Sequence, residues 1–397
     1  MSAELFAAAT LAADSELPGA AWLTALASLP GAGPRRLQLL LAQRDPLAAW
    51  ALVLAGGNRA LCHELGSKGQ QLLDSWARAA HQLDVGELWE RSIQMGIGAV
   101  AVNSPAFPEQ FRDDPEPPAV LFHRGNLDVL AGPRVAIIGT RKCTRYGYDI
   151  ANEFARDLAV AGVAVVSGLA LGIDAAAHHG AVGAGAAPPI AVVANGLDSV
   201  YPRSNRVLWE HVVQAGVVLS EAPLDTEPER WRFPARNRII AALSDIVVVV
   251  ESHARGGSLH TVAEAERRNV PVMAVPGPIH SAAAEGTNSL LRDGCAPACS
   301  VDDILLELGL VGGCRRSSSE TRPLPNAISQ QVLEAIGWQP ATADQLLARA
   351  CCSVAELASA VENLANTGWI SNTDGWFERV GRPESLSPSN AESGYLG

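Results

Sequence analysis

The sequence predicts an α/β protein. Its centre is an extended Rossmann-like, doubly wound, mostly parallel sheet, with a helical domain before it and a winged-helix domain after it. Three observations predict this. From Arg134 to about Leu310, short apolar runs alternate with helical stretches, the pattern of repeated βα units. One run, Ile246-Val247-Val248-Val249-Val250, is almost wholly β-branched, as a strand buried on both faces should be. The last sixty-odd residues read as three short helices and a hairpin around Asp374-Gly375.

Taken in order, residues 1–18 are Ala-rich with a few acids and are expected to be a disordered tail. Residues 19–83 read as helices. Within them, Leu26-Ala27-Ser28-Leu29-Pro30-Gly31-Ala32-Gly33-Pro34 is a tight turn between two helices, in a SAM or helix-hairpin-helix-like arrangement. Such a turn can offer backbone N–H groups to a phosphate, or can simply join two packed helices. Pro105, Pro108, Pro115, Pro117 and Pro118 predict an extended connector. It lies within a Rossmann-like domain assigned to 84–311. The expected strands are 134–138, 163–167, 190–194, 217–220, 245–250 and 271–275. A polar linker over 312–326 leads to the winged helix, 327–381, with helices from Gln330, Thr342 and Ser353. Both later starts place Ser or Thr three residues before an acid or amide, close to a capping box. The Ser/Pro/Asn-rich stretch 382–397 is expected to be disordered.

Composition narrows the function. A formal net charge of −12 argues against coating nucleic acid with the whole surface. A local basic groove remains possible, because phosphate binding depends on the field at the site. Lys68 and Lys142 are the only lysines, so arginine supplies nearly all positive charge. The seven cysteines form neither a disulfide pattern nor paired CxxC motifs, so no metal is expected and the cytoplasm is the expected compartment. No apolar run reaches membrane-spanning length, and no signal peptide is read.

The chemistry gathers at strand ends, where open α/β sheets bind ligands. Gly139-Thr140-Arg141-Lys142, with Arg145, closes the first run, and Ser167-Gly168 closes the second. Arg203 and Asn205 follow the third. Arg236, Asn237 and Arg238 precede the fifth, and Gly257 and Ser258 follow it. Neither of the first two turns carries the G-x-G-x-x-G spacing of a dinucleotide site, so no cofactor is expected. Glycines, hydroxyls and cations on one edge suit a sugar–phosphate backbone. For several residues a structural role competes. Gly168 and Gly172 can allow close helix–strand packing. Asp174 and His178 read as an acid near a helix start and a packed histidine, with no nucleophile beside them. Arg236 and Arg238 can pair with acids such as Glu221 or Glu251.

The segments Val135–Arg141, Ser167–His178, Gly196–Asn205, Phe233–Leu243, Gly257–Thr261 and Val275–Asp293 together resemble the DNA-processing protein A family (DprA, also called Smf). The family's G-[ST]-R turn, S-G-L-A-x-G-I-D-x-x-A-H, Y-P-x-x-N and F-P-x-R-N-R-I-I-A motifs occur in order. The resemblance covers roughly residues 90–310. It implies a non-catalytic protein that binds single-stranded DNA, loads RecA recombinase onto it during natural transformation, and forms a homodimer through its Rossmann-like domain. Carried over by motif, Gly139-Thr140-Arg141 is the phosphate-gripping turn, Arg203 stands where relatives often carry lysine, and Arg236 and Arg238 belong to the R-N-R segment. Departures are mild: Gly256 and His260 differ from the usual residues beside Gly257-Ser258-Leu259, and Ala242 replaces a glycine.

Two other readings compete. Gly256-Gly257-Ser258-Leu259-His260-Thr261 with Glu264 is similar to the P-G-G-x-G-T-x-x-E loop of nucleotide phosphoribohydrolases, but His260 stands where that loop needs glycine. The winged helix suggests a transcription factor. Its candidate recognition helix, 353–366, has Glu356 and Glu362 and no Arg or Lys, which suits a protein-interaction or regulatory module better.

Overall fold

The computed structural model describes residues 17–310, 323–337, 340–373 and 375–380. Most of the tail expected at 1–18, all of that expected at 382–397, and most of the expected linker lie outside the described residues.

Six helices open the described chain: α1 (Gly19–Ala27), α2 (Pro34–Leu41), α3 (Pro46–Leu54), α4 (Arg59–Glu64), α5 (Gly69–Ala80) and α6 (Val85–Gln94). Asp45, Asn58 and Asp84 cap α3, α4 and α6 with their side chains, satisfying amides the helices leave free. Trp22, Trp50 and Trp76 are fully buried among the leucines of this bundle. The same apolar cluster runs on into Val193, Leu197, Trp209 and Val218, so the helices and one face of the sheet share a core.

The sheet follows. Its first strands are β1 (Ile97–Ala101), β2 (Val120–Gly125) and β3 (Arg134–Ile138). Then come α7 (Arg145–Val160), β4 (Ala164–Ser167), α8 (Ile173–Ala184), β5 (Ile190–Val193), α9 (Arg206–Ala215) and β6 (Val217–Ser220). Next are α10 (Arg232–Leu243), β7 (Ile246–Val249), α11 (Ser258–Glu266), β8 (Val272–Ala274), α12 (Glu285–Arg292), β9 (Ala296–Pro297) and α13 (Val301–Glu307). The strand order is β1-β2-β6-β5-β4-β3-β7-β8-β9. From β6 to β9 every pairing is parallel, while β2 runs antiparallel to both β1 and β6. Ala136 of β3 pairs with Val166 on one side and Val247 on the other. The order reverses between β3 and β7, which makes the ends of these strands the topological switch point.

Three strands of this sheet were not expected from the sequence: β1, β2 and the two-residue β9. β9 is too short for periodicity to signal, and β1 and β2 pair antiparallel outside the repeated βα units. The Pro-rich connector also differs from expectation. Glu109–Phe111 coil into a 3₁₀ turn, and Phe107 and Phe111 are buried. Burial of two phenylalanines overrides the extended bias of the prolines.

The C-terminal domain contains α14 (Ala327–Ile336), β10 (Ala341–Thr342), α15 (Ala343–Ala350), α16 (Val354–Asn366), β11 (Ile370–Thr373) and β12 (Trp376–Arg379). Both expected capping boxes form, Thr342 with Gln345 and Ser353 with Glu356. The three strands pair in the order β10-β12-β11 over their own core, which includes Leu346, Leu357 and Leu364. This is a winged helix.

Candidate nucleic-acid interface

The turn after β3 lies at the switch point. A side chain on Gly139 would collide with Ile173 and with the backbone oxygen of Glu251, so only glycine lets the two strand ends approach. Thr140 N–H donates to that same Glu251 oxygen at 2.8 Å. The turn then carries Arg141 and Lys142 outward, and both are exposed. Among the described residues neither forms an ion pair. Arg141 instead lies 4.7 Å from the centre of the Phe233 ring, a cation–π contact. Phe233 in turn packs against Tyr201 at 5.8 Å. Tyr201 is 40% exposed.

Arg141, Lys142 and Phe233 line an open groove of about 440 Å³. Thr140, Asn237, Gly257, Ser258 and His260 complete its walls. A smaller notch beside it is lined by Arg141, Tyr201, Phe233 and Arg236. A guanidinium and aromatic faces therefore stand together on an open surface. Phosphate oxygens suit the first and base faces the second.

A helix N-terminus at a strand-end turn can offer free amides to an anion, but neither of these two turns does so in this way. At the first turn α7 starts only at Arg145. Glu251, buried, accepts from the Thr144 amide at 2.8 Å and from its hydroxyl, and the Thr144 hydroxyl accepts from Gly147 N–H at 3.1 Å. A carboxylate of the chain thus already occupies the helix start, and the anion-binding capacity left at this turn is that of the Arg141 and Lys142 side chains.

The second turn is satisfied internally. Ser167 is buried and its hydroxyl donates to the Ile137 carbonyl at 2.7 Å. The place a Gly168 side chain would take is filled by the Arg236 guanidinium. Arg236 is 7% exposed and donates to the Val192 carbonyl at 2.6 Å. Among the described residues its Nε has no partner. Burial pushes its pKa down to about 10, against the attraction of Asp174. Burial likewise raises the Asp174 carboxyl, opposed first by Arg236 and then by the Ala170 backbone. His178, also in this core, has no partner of good geometry at either ring nitrogen among the described residues. Desolvation drives its pKa down to about 3, with the Ser167 backbone weakly opposing. It is a neutral, packed histidine.

The remaining residues expected at the site divide in the same way. Arg203 is exposed and unpaired among the described residues, and Arg145 is exposed but bonded to Asp149. Asn205 is a brace: its amide donates to the Leu169 and Ala170 carbonyls, fixing the second turn. Arg238 is turned away from the groove. It pairs with Glu221 and donates to the Glu116 carbonyl at 2.7 Å. Sequence reading weighed this pairing and identified Glu221, but missed the aromatic residues Tyr201 and Phe233 as part of the site. Phe233 sits in the same motif as Arg236, and an aromatic next to a cationic segment was the available signal. The turn at Gly31 also differs from a phosphate-binding hairpin. Ala32 and Gly33 donate to Leu29 and Gly31 inside the turn, which leaves those amides nothing to offer a phosphate.

A doubly wound sheet with a cationic, aromatic groove at its switch point, and a winged helix beyond it, defines a multidomain Rossmann-like protein without a dinucleotide fingerprint. The chain belongs to the DNA recombination-mediator protein A family, whose model matches residues 98–309; the model of the DprA winged helix domain matches residues 316–364. It is 37% identical over 216 residues to the DNA processing protein DprA of Bacillus subtilis, spanning 54% of this chain and 72% of that one. Protein Smf of Escherichia coli is 33% identical over 293 residues, 71% of this chain and 77% of that relative. Among solved structures, DNA processing protein A from Streptococcus pneumoniae superposes with a TM-score of 0.63 and 28% identity, covering 73% of this chain and 98% of that one.

Proposed function

We propose that the groove binds single-stranded DNA and that the protein, acting without catalysis, delivers that strand to a RecA-type recombinase during DNA uptake. One observation carries the binding reading: the unpaired Arg141 guanidinium lies directly on the Phe233 ring, beside Tyr201, in an open groove. Bases in a duplex are already stacked, whereas a single strand offers both phosphates and free base faces. RecA as partner, a role in transformation, a cytoplasmic site of action and a homodimer through the Rossmann-like domain rest on family membership. The winged helix fits a protein-contact role, because α16 exposes Glu356 and Glu362 and carries no basic residue.

Filter binding of matched single- and double-stranded oligonucleotides over a salt series tests this. Arg141→Ala should weaken single-strand binding and reduce the salt slope by about one, largely regardless of sequence. An unchanged slope, or equal affinity for duplex, overturns the assignment. Nucleotide hydrolysis by the purified protein would overturn the non-catalytic reading.

A further inference from the structure

The small notch beside the groove is mostly apolar. Ala170, Leu171, Val193, Tyr201, Pro202 and Phe233 line it, and its volume is about 40 Å³. We propose that this notch takes the C5-methyl group of a pyrimidine, so that the strand site prefers thymine to uracil. The proposal deepens the groove reading above and rests on it.

Leu171 is the first support. The turn after β4 is otherwise buried or half-buried, yet Leu171 is 46% exposed. The turn that carries it is held from three sides. Leu169 takes a left-handed φ of 53°, and the Asn205 amide donates to the Leu169 and Ala170 carbonyls at 2.9 and 3.3 Å. Gly172, at a φ of 77°, lies so close to the Thr140 and Arg141 backbone that a side chain there would collide with both. The chain just after Leu171 is therefore pinned against the turn after β3. A lone exposed leucine needs no explanation. A leucine held this firmly, in a notch it shares with two aromatic rings, is a fixed apolar wall.

Size and chemistry select the ligand. A water molecule's share of the liquid is ~30 Å³, so the notch has room for one small group and not for a base ring. Of the charged residues that line it, Arg236 is buried and donates to the Val192 carbonyl, and Arg141 lies on Phe233. No acid lines it among the described residues. An apolar group gains by displacing water that is poorly held between apolar walls. Among the four unmodified DNA bases only thymine carries a methyl group, at C5. A pyrimidine stacked on Tyr201, itself exposed and part of the wall, brings its C5 edge within reach of the notch.

The test measures the affinity of the full-length protein for fluorescently labelled dT20 and dU20, which differ only in the C5-methyl groups. Unmodified protein should bind dT20 about threefold more tightly, from the usual worth of one buried methyl group. Leu171→Asn replaces the apolar wall with a polar one of similar size and should bring the two affinities together, whereas Leu171→Met should keep the preference. Thermal unfolding of each variant confirms a folded chain. Equal affinities of the unmodified protein for dT20 and dU20, or a preference that survives Leu171→Asn, overturn the methyl notch; if Arg141→Ala still weakens binding to both, the groove stands. If Arg141→Ala changes neither affinity, the groove reading fails and the notch falls with it.

Discussion

The two glycine turns of this sheet begin from the same pattern, an apolar strand, small residues and a helix, yet they end as opposites. At the turn after β3 the cations Arg141 and Lys142 are exposed and form no ion pair among the described residues. At the turn after β4 the cation, Arg236, comes from α10, is buried, and is attracted by the buried carboxylate of Asp174. The difference lies in where the chain supplies its own anion. Where Asp174 provides it, the turn becomes core. Where Glu251 spends its carboxylate on Thr144 instead, the cations remain available to an outside phosphate.

Breaking the internal turn should have the largest effect on stability. Arg236→Ala leaves Asp174 buried without its main compensating charge and should cost about 3 kcal/mol in urea unfolding. A stable Arg236→Ala protein that instead lost its salt-dependent DNA binding would make Arg236 a phosphate contact rather than a core charge and erase the contrast.

Acid should loosen the same core. His178 is neutral when folded, with its pKa down at about 3 against an ordinary value of 6.5. Below 6.5 the unfolded chain takes up a proton that the folded chain refuses, so stability falls as pH drops from there towards 3. The slope approaches ~1.4 kcal/mol per pH unit. Asp174 works in the other direction: its raised pKa lets the folded chain protonate first, which favours folding as pH falls. His178→Leu should therefore show a shallower loss of stability than the parent between pH 6.5 and 4. Identical pH profiles would mean that His178 is solvated.

At the first turn, Thr144→Ala removes the cap of α7 and one acceptor–donor partner of Glu251, and should cost about 1 kcal/mol in thermal unfolding. A negligible loss would show that Glu251 holds the helix start unaided. The smallest effect on stability belongs to Arg141→Ala, within about 0.5 kcal/mol, since the side chain is exposed and unpaired. A larger loss there would mean that its stacking on Phe233 holds the loop in place.

Much of this was legible in the sequence, for identifiable reasons. The β-branched run at 246–250 and the alternation of strands and helices specified the parallel sheet, because burial on both faces leaves a continuous apolar signal. Thr342 and Ser353 announced the starts of α15 and α16 through local capping chemistry. Arg141 stood out because it closely follows a strand-end glycine, where an apolar or small residue would be cheaper. By contrast, β1 and β2 stand outside the βα repeat that marked the other strands, β9 has only two residues, and the prolines at 105–118 concealed a segment anchored by Phe107 and Phe111.

What the sequence alone determined was the fold class, the family and the edge of the sheet where the charged residues gather. These follow from local period, turn chemistry and motif order. Only the tertiary structure decided which charges are free. Arg141, Arg236 and Arg238 are equally cationic as letters, and their roles depend on acids and rings distant in the chain: Phe233 beneath the first, Asp174 near the second, Glu221 against the third. Charge pairing and burial are set by distances that folding creates, and a linear pattern does not carry them.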